Sequence, residues 1–541
     1  MSQSFNYAAL VGRTFGLRMM QAAALVASLQ MGFAWSQALP AAGQVNRDAQ
    51  QVVPPREANP INNNFPLPAP RESLPEAITV LIKGFKFNGN VSISNEELQS
   101  LVVQSVDKRL DFAALDRVTD GISRHYRAKG FTVGRAFLPP QQSADGIILI
   151  NIVEGRFSKI NIKNSSQIKT ERLEQTIANN LCSVGNQKDC VGKTVTDEGL
   201  ERAILIIKDL PGVTGTANLK PGTVTGTSEL DVEVRETKRS SYSLGFDNFG
   251  SPSTGTTRLN ASADFNNLRN DGDQLSLGLA TTTVLNTTRT GSATYSLPAG
   301  YEGQRVGVSF ARSQYRLGAG FSATNSYGLS NALSVFNSYP IVRSVNRSIY
   351  ARASGEVRGG FNNVDSIGTS YRSSASVVRL GLSGDYVDGF GNGGYTVYST
   401  TWSGGYIGNT DPTDSGVNGA RSAGRFNKLA YSLARQQATV GALTLYSAVS
   451  GQRGFKNLDG SEQTGLGGPS STRGYGGEAG GSTGANATVE LRYSTPFRIG
   501  EEVNNMTYGL FVDRGWVRFY ETVPTGTSAT TANTDRKSTR L

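Results

Sequence analysis

Two short motifs near the end of the chain, Thr472-Arg473-Gly474-Tyr475 and Phe511-Val512-Asp513-Arg514-Gly515, carry its most specific charge chemistry. The first lies in a long glycine-rich loop. The second closes a segment that alternates strictly, with Tyr508, Leu510 and Val512 on one face and Thr507, Gly509, Phe511 and Asp513 on the other. If this strand belongs to a membrane barrel, the first face meets lipid and Asp513 points into the lumen. A carboxylate held there needs a counter-charge, and the loop's Arg473 is the obvious one. Such a pair couples a loop to a barrel wall, which can act as a gate or simply brace the wall.

Other chemistry is sparse. His125 is the only histidine, next to the core residue Tyr126 on an expected helix, with no nucleophile or carboxylate pattern around it. His-dependent triads and multi-histidine metal sites are thereby excluded, so no enzyme, metal site or cofactor is expected. Gly465-Leu466-Gly467-Gly468 lacks the Lys-Ser/Thr of a phosphate loop and reads as loop flexibility. Cys182 and Cys190 either close a small disulfide loop under oxidising conditions or remain two buried thiols. The net charge of +10 is spread singly along the chain without the basic stripe that nucleic-acid binding requires.

The elements that must position these residues fall into five stretches. Residues 1–38 read as an export signal, in which Arg13 and Arg18 precede an apolar run, Met19–Ala34, and small residues follow at Ser36 and Ala38. An amphipathic helix is the alternative. Residues 39–75 form a linker with eight prolines, Pro40, Pro54, Pro55, Pro60, Pro66, Pro68, Pro70 and Pro75, and a short plug helix at 44–52.

Residues 76–155 read as β-α-α-β-β. A strand Ile78–Phe87 is followed by a helix capped by Ser94, with Glu97 three residues on. A second helix has Phe112, Leu115, Val118, Ile122 and Tyr126 on one face and stops at Gly130. Strands Thr132–Leu138 and Ile147–Glu154 close the module. Residues 156–237 repeat the plan, with helices at Glu171–Leu181 and after the cap Thr196.

From residue 238 to 541 helical periodicity gives way to alternating segments of about ten residues between Gly-, Asn- and Asp-rich turns. Val378, Leu380, Leu382 and Tyr386 oppose Arg379, Ser383 and Asp385, and Val489, Leu491 and Tyr493 oppose Glu490 and Arg492. An apolar face backed by charges suits lipid outside and a wet lumen inside. No internal run of about 20 apolar residues offers a spanning helix. The expected fold is therefore two α+β modules followed by an antiparallel transmembrane β-barrel.

Several stretches together resemble the two-partner secretion transporters, outer-membrane proteins of the haemolysin secretion/activation type whose α+β modules are called POTRA domains. Tyr126-Arg127-Ala128-Lys129-Gly130-Phe131, Arg135-Ala136-Phe137-Leu138-Pro139-Pro140 and Val153-Glu154-Gly155-Arg156 are similar to the first POTRA module. Leu210-Pro211-Gly212-Val213 is similar to the second, and Asp247-Asn248-Phe249-Gly250 to the turn after the first barrel strand. The two opening motifs resemble the family's arginine loop and its Phe-x-Asp-x-Gly strand.

The resemblance implies a sixteen-stranded barrel with the arginine loop folded inside it, and POTRA modules in the periplasm. Arg473 would pair with Asp513, Gly474 and Tyr475 would shape the loop tip, and Phe511 and Gly515 belong to the lumen strand. The implied partners are outer-membrane lipid and a secreted exoprotein whose N-terminal secretion domain the POTRA pair captures. A barrel-assembly insertase of the same superfamily shares these parts and remains the alternative. The chain departs from the pattern at Thr472, where the family usually has a larger aliphatic residue, and after Tyr520, where a Ser/Thr-rich tail stands in place of the last strands.

Overall fold

The computed structural model describes residues 61–62 and 79–540, apart from 132, 142–144, 184–186, 225, 252, 284–287, 416–418, 469–470, 474, 476–478, 500–501 and 526–530. The export signal, nearly all of the linker with its plug helix, and Gly474 lie outside the described residues.

A two-residue strand from the linker, β1 (Ile61–Asn62), precedes the first module. That module comprises β2 (Val80–Leu81), β3 (Gly84–Asn88), α1 (Asn95–Val102), β4 (Arg109–Leu110), α2 (Phe112–Ala128), β5 (Arg135–Phe137) and β6 (Ile147–Val153). The single strand expected over 78–87 is split in two. Its first half pairs with β4 while its second half joins β6 in parallel, because Ile82 turns inward and bonds to the Lys108 carbonyl between them.

Ser94 caps α1 by accepting from the Glu97 amide, and Asp111 caps α2 by accepting from Ala114. Leu115, Ile122 and Tyr126 are buried as their spacing predicts, whereas Phe112, in the first turn of α2, is exposed. Gly130 ends the helical run at φ +87°, a left-handed conformation that favours glycine.

The second module repeats the design with β7 (Arg156–Ser165), α3 (Thr170–Cys182), α4 (Asp197–Lys208), β8 (Val213–Pro221) and β9 (Thr227–Glu236). Thr196 caps α4 through the Gly199 amide. Leu200, Ile204 and Ile207 of α4 pack with Leu173 and Ile177 of α3 on the sheet face. The sheet order is β1-β8-β9-β7, and the linker strand β1 pairs in parallel with β8 at Ala217 and Asn218.

The remainder is one antiparallel meander. Its strands are β10 (Ser240–Asp247), β11 (Arg258–Asn266), β12 (Gln274–Thr282), β13 (Thr288–Pro298), β14 (Arg305–Arg316), β15 (Ser326–Arg343), β16 (Arg347–Val364), β17 (Thr369–Asp388), β18 (Gly394–Asn409), β19 (Gly424–Ala438) and β20 (Leu443–Gly454). A small ribbon, β21 (Thr464–Leu466) with β22 (Ala479–Gly481), interrupts the sequence within the arginine loop. β23 (Thr483–Ile499), β24 (Glu502–Arg518) and β25 (Thr531–Arg540) then complete the sheet.

The described sheet has fourteen strands, where the family pattern implied sixteen. The segment expected to be a tail forms β25, with Thr531–Arg540 opposite Gly509–Arg518. A row of unpaired backbone groups on β24 would be costly in lipid, and a threonine-rich stretch pairs readily as a strand.

Exposure across this sheet is the inverse of a soluble sandwich. Leu279, Val378, Leu380, Leu382, Val489 and Leu491 are exposed, whereas Glu490 and Asp513 on the opposite face are buried. No described helix is long and apolar enough to cross a membrane; the strands present the apolar face.

Candidate functional site

The loop between β20 and β23 contacts the inward face of the sheet rather than solvent. Gly467 and Gly468 take left-handed backbone, and the Gly468 amide donates to the Tyr475 carbonyl, which ties the two sides of the loop together. Below the tip the β21–β22 ribbon lies against β24. Gly481 approaches β24 so closely that a Cβ there would run into Val517 and the Arg518 carbonyl. Leu466 and Val517 form a small dry contact that seats the ribbon.

This seating places Arg473 over the inward face of β23 and β24. Its Nε donates to Asp513 Oδ2 at 2.7 Å and its Nη2 to Asp513 Oδ1 at 2.8 Å, a two-point fork. The Arg473 backbone amide donates to Oδ2 as well, at 3.1 Å. The remaining nitrogen, Nη1, reaches Glu490 Oε2 at 2.8 Å, and Arg492 reaches the other Glu490 oxygen at 3.2 Å. The guanidinium carbon lies 3.5 Å from the centroid of the Phe511 ring, so charge, fork and aromatic face converge on one side chain.

Asp513 is fully enclosed at 0 % exposure and Phe511 is buried, while Tyr475 is exposed at the loop tip. Thr472, also fully enclosed, fits where a larger aliphatic residue was the expectation. Gly515 lies opposite Asn486 on β23, two residues beyond Asp513 on the same face. Glu490 was placed on the inward face by the alternation of its strand, but its partnership with Arg473 was not foreseen.

A second charged cluster holds the root of the same loop. Glu462, 1 % exposed, bonds Lys428 Nζ at 2.8 Å and Arg358 Nη2 at 2.9 Å, with Arg379 Nη2 at 3.6 Å. Glu356 bridges the two arginines from the wall. Sequence reading placed Arg379 inward but did not single out Glu462, because an irregular loop has no period to assign faces.

At the opposite end of the sheet, the second module docks on the turns. Arg343, at the end of β15, makes a two-point bond to Asp209 after α4, both contacts at 2.7 Å. Arg172 of α3 pairs with Asp271 at 2.5 Å and donates to the Gly300 carbonyl at 3.0 Å. Asn267 donates to the Pro211 carbonyl at 2.8 Å, which gives the Leu210-Pro211-Gly212 turn its place against the β11–β12 turn.

In the first module Glu154 is buried and accepts from the Val91 and Ser92 amides, the Ser92 hydroxyl and the Tyr126 hydroxyl. It ties the β3–α1 turn to α2. Burial, with the neighbouring Glu154 charge, pushes the Tyr126 hydroxyl well above its usual range. His125 lies on the surface of α2 and bonds Glu97 at 2.6 Å. Lys129, then His125, hold the Glu97 carboxyl below its usual range, an ordinary surface cluster. Cys182 and Cys190 are bonded to one another, with Cα atoms 5.6 Å apart, between α3 and the following turn.

Residues 226–532 match the family of haemolysin secretion/activation proteins ShlB/FhaC/HecB, and residues 80–155 match a ShlB-type POTRA domain. The chain belongs to this family. It is 25% identical over 518 residues to the heme/hemopexin transporter protein HuxB of Haemophilus influenzae, covering 92% of this chain and 88% of that one. It is 24% identical to the outer membrane transporter CdiB of Dickeya dadantii, over 77% of this chain and 72% of that protein. Among solved structures, CdiB from Escherichia coli superposes with a TM-score of 0.65 at 22% identity, over 84% of this chain and 82% of that one. CdiB from Acinetobacter baumannii gives 0.56 at 18% identity, over 97% and 91%. The protein is thus an outer-membrane pore of two-partner secretion, with its POTRA region in the periplasm.

Proposed function

We propose that the periplasmic modules capture one large partner protein in an unfolded state and feed it into a lumen that the arginine loop closes at rest. Export then needs that loop to withdraw. The observation that carries this reading is the Arg473 fork: a loop residue is held by two buried carboxylates, Asp513 and Glu490, on the inward face of the sheet. Capture by addition of an extended segment to a sheet edge or a helix groove suits the short, open sheets of the modules. The partner crosses as an extended chain and folds outside, which supplies direction without nucleotide.

Co-expression of the full-length gene with the large exported protein encoded beside it tests this. Partner in the medium only when this chain is present supports the reading. Partner retained in the periplasm while the inserted chain is present contradicts it.

A further inference from the structure

The Glu462 cluster stands apart from the Arg473 site. The arginine fork joins the loop tip to β23 and β24, whereas Glu462 joins the loop root to β16, β17 and β19, a different stretch of the wall. The root is gripped through backbone as well as side chain. The Glu462 carbonyl accepts from Lys428 Nζ at 2.8 Å and from Gln452 Nε2 of β20 at 2.9 Å. Its neighbour Ser461 accepts from Arg358 at 2.7 Å. A turn closed by the Glu462 amide donating to the Asp459 carbonyl presents both residues to the wall. Withdrawing a carboxylate this enclosed leaves buried cations short of a partner, which costs more than losing a surface pair.

We propose that Glu462 is a second latch, and that opening the lumen requires it to leave Arg358, Arg379 and Lys428 as well as requiring Arg473 to leave Asp513 and Glu490. Release of the fork alone frees the tip, while the β21–β22 ribbon stays tethered at its root. Release of Glu462 alone frees the root but leaves the tip seated. Once Glu462 leaves, the wall retains three cations against the single carboxylate of Glu356, an arrangement that water in an open lumen solvates. The proposal rests on the reading that the loop must withdraw for export.

The test is single-channel conductance of the purified full-length protein in planar bilayers. The variants are Glu462→Gln, Asp513→Asn and the two combined, each checked for a folded barrel by its heat-dependent electrophoretic shift. The expected result is a severalfold rise in open fraction for Glu462→Gln and a larger rise for the double variant than for either single one. Exchanging the charges, Glu462→Lys with Lys428→Glu, should return the open fraction only part of the way toward wild type, because the new lysine pairs with the new glutamate but still faces Arg358 and Arg379. A folded Glu462→Gln barrel with wild-type conductance overturns the proposal.

As a second measurement, Glu462→Cys with Lys428→Cys, in a Cys182→Ser, Cys190→Ser background measured alone and checked for a folded barrel in the same way, is bridged by a bifunctional methanethiosulfonate. Bridging should close the pore and stop export, and reductant should restore both; export that continues through the bridged form overturns the latch. If the unbridged wild type exports nothing while conductance follows the latch, the export reading fails and the latch stands.

Discussion

Arg473 commits every guanidinium nitrogen to a carboxylate: two to Asp513 and one to Glu490. Removing it leaves the enclosed Asp513 without a counter-charge and Glu490 with Arg492 alone, a loss on the order of 3–5 kcal/mol. Arg473→Ala is therefore expected to lower barrel stability together with export, read as the heat-dependent electrophoretic shift and as partner in the medium. Arg473→Lys keeps the charge but loses the fork, and should retain a folded barrel with altered closure. Exchanging the pair, Arg473→Asp with Asp513→Arg, should rescue secretion lost in each single variant only in part, because the new aspartate faces Glu490. Adding Glu490→Gln to the exchange should improve the rescue; no gain from it would show that Glu490 does not share the arginine. The strict alternation of β24 made the inward direction of Asp513 readable from sequence. Glu490 was readable as inward but not as a partner, since which carboxylates a third nitrogen reaches depends on loop geometry. Glu462 carried no readable signal beyond being an acid in a glycine-rich loop.

The two modules were well foretold because their helices carry caps and a single apolar face. Ser94, Asp111 and Thr196 all accept from the first-turn amides, and the Leu115–Ile122–Tyr126 stripe is the core. What escaped was set by partners distant in sequence. The break of the first strand at Ile82 depends on β4, and the strand character of 531–540 depends on the open edge of β24. Glu154 is the tertiary counterpart: Glu154→Ala leaves the Val91 and Ser92 amides without their acceptor and should cost about 1–3 kcal/mol. The loss should appear as a lower unfolding midpoint of the periplasmic region, with the barrel transition unchanged. Replacing both Cys182 and Cys190 by serine opens the loop between α3 and the next turn and should cost roughly 2–3 kcal/mol in the second module. A calorimetric trace identical to wild type would contradict it.

At the scale of the whole molecule, the second module and the barrel are joined by charged forks on the periplasmic turns. Arg343 with Asp209 and Arg172 with Asp271 hold the second module against these turns. Reversing one fork, Arg343→Glu, should reduce export while leaving the barrel folded and inserted, and Asp209→Arg in the same chain should restore part of it. Secretion unaffected by Arg343→Glu would mean that delivery does not depend on this docking. The route of the partner is tested most directly with a photo-cross-linking amino acid placed at Ala332 or at Leu333, neighbours on opposite faces of β15. Ala332 is buried and pairs across the sheet with Arg358, whereas Leu333 is exposed on the apolar face. With export stalled by a tightly folded domain fused to the end of the partner, passage through the lumen predicts cross-links from Ala332 and none from Leu333. Cross-links from Leu333 alone, or none from Ala332 while partner spans the membrane, would contradict it.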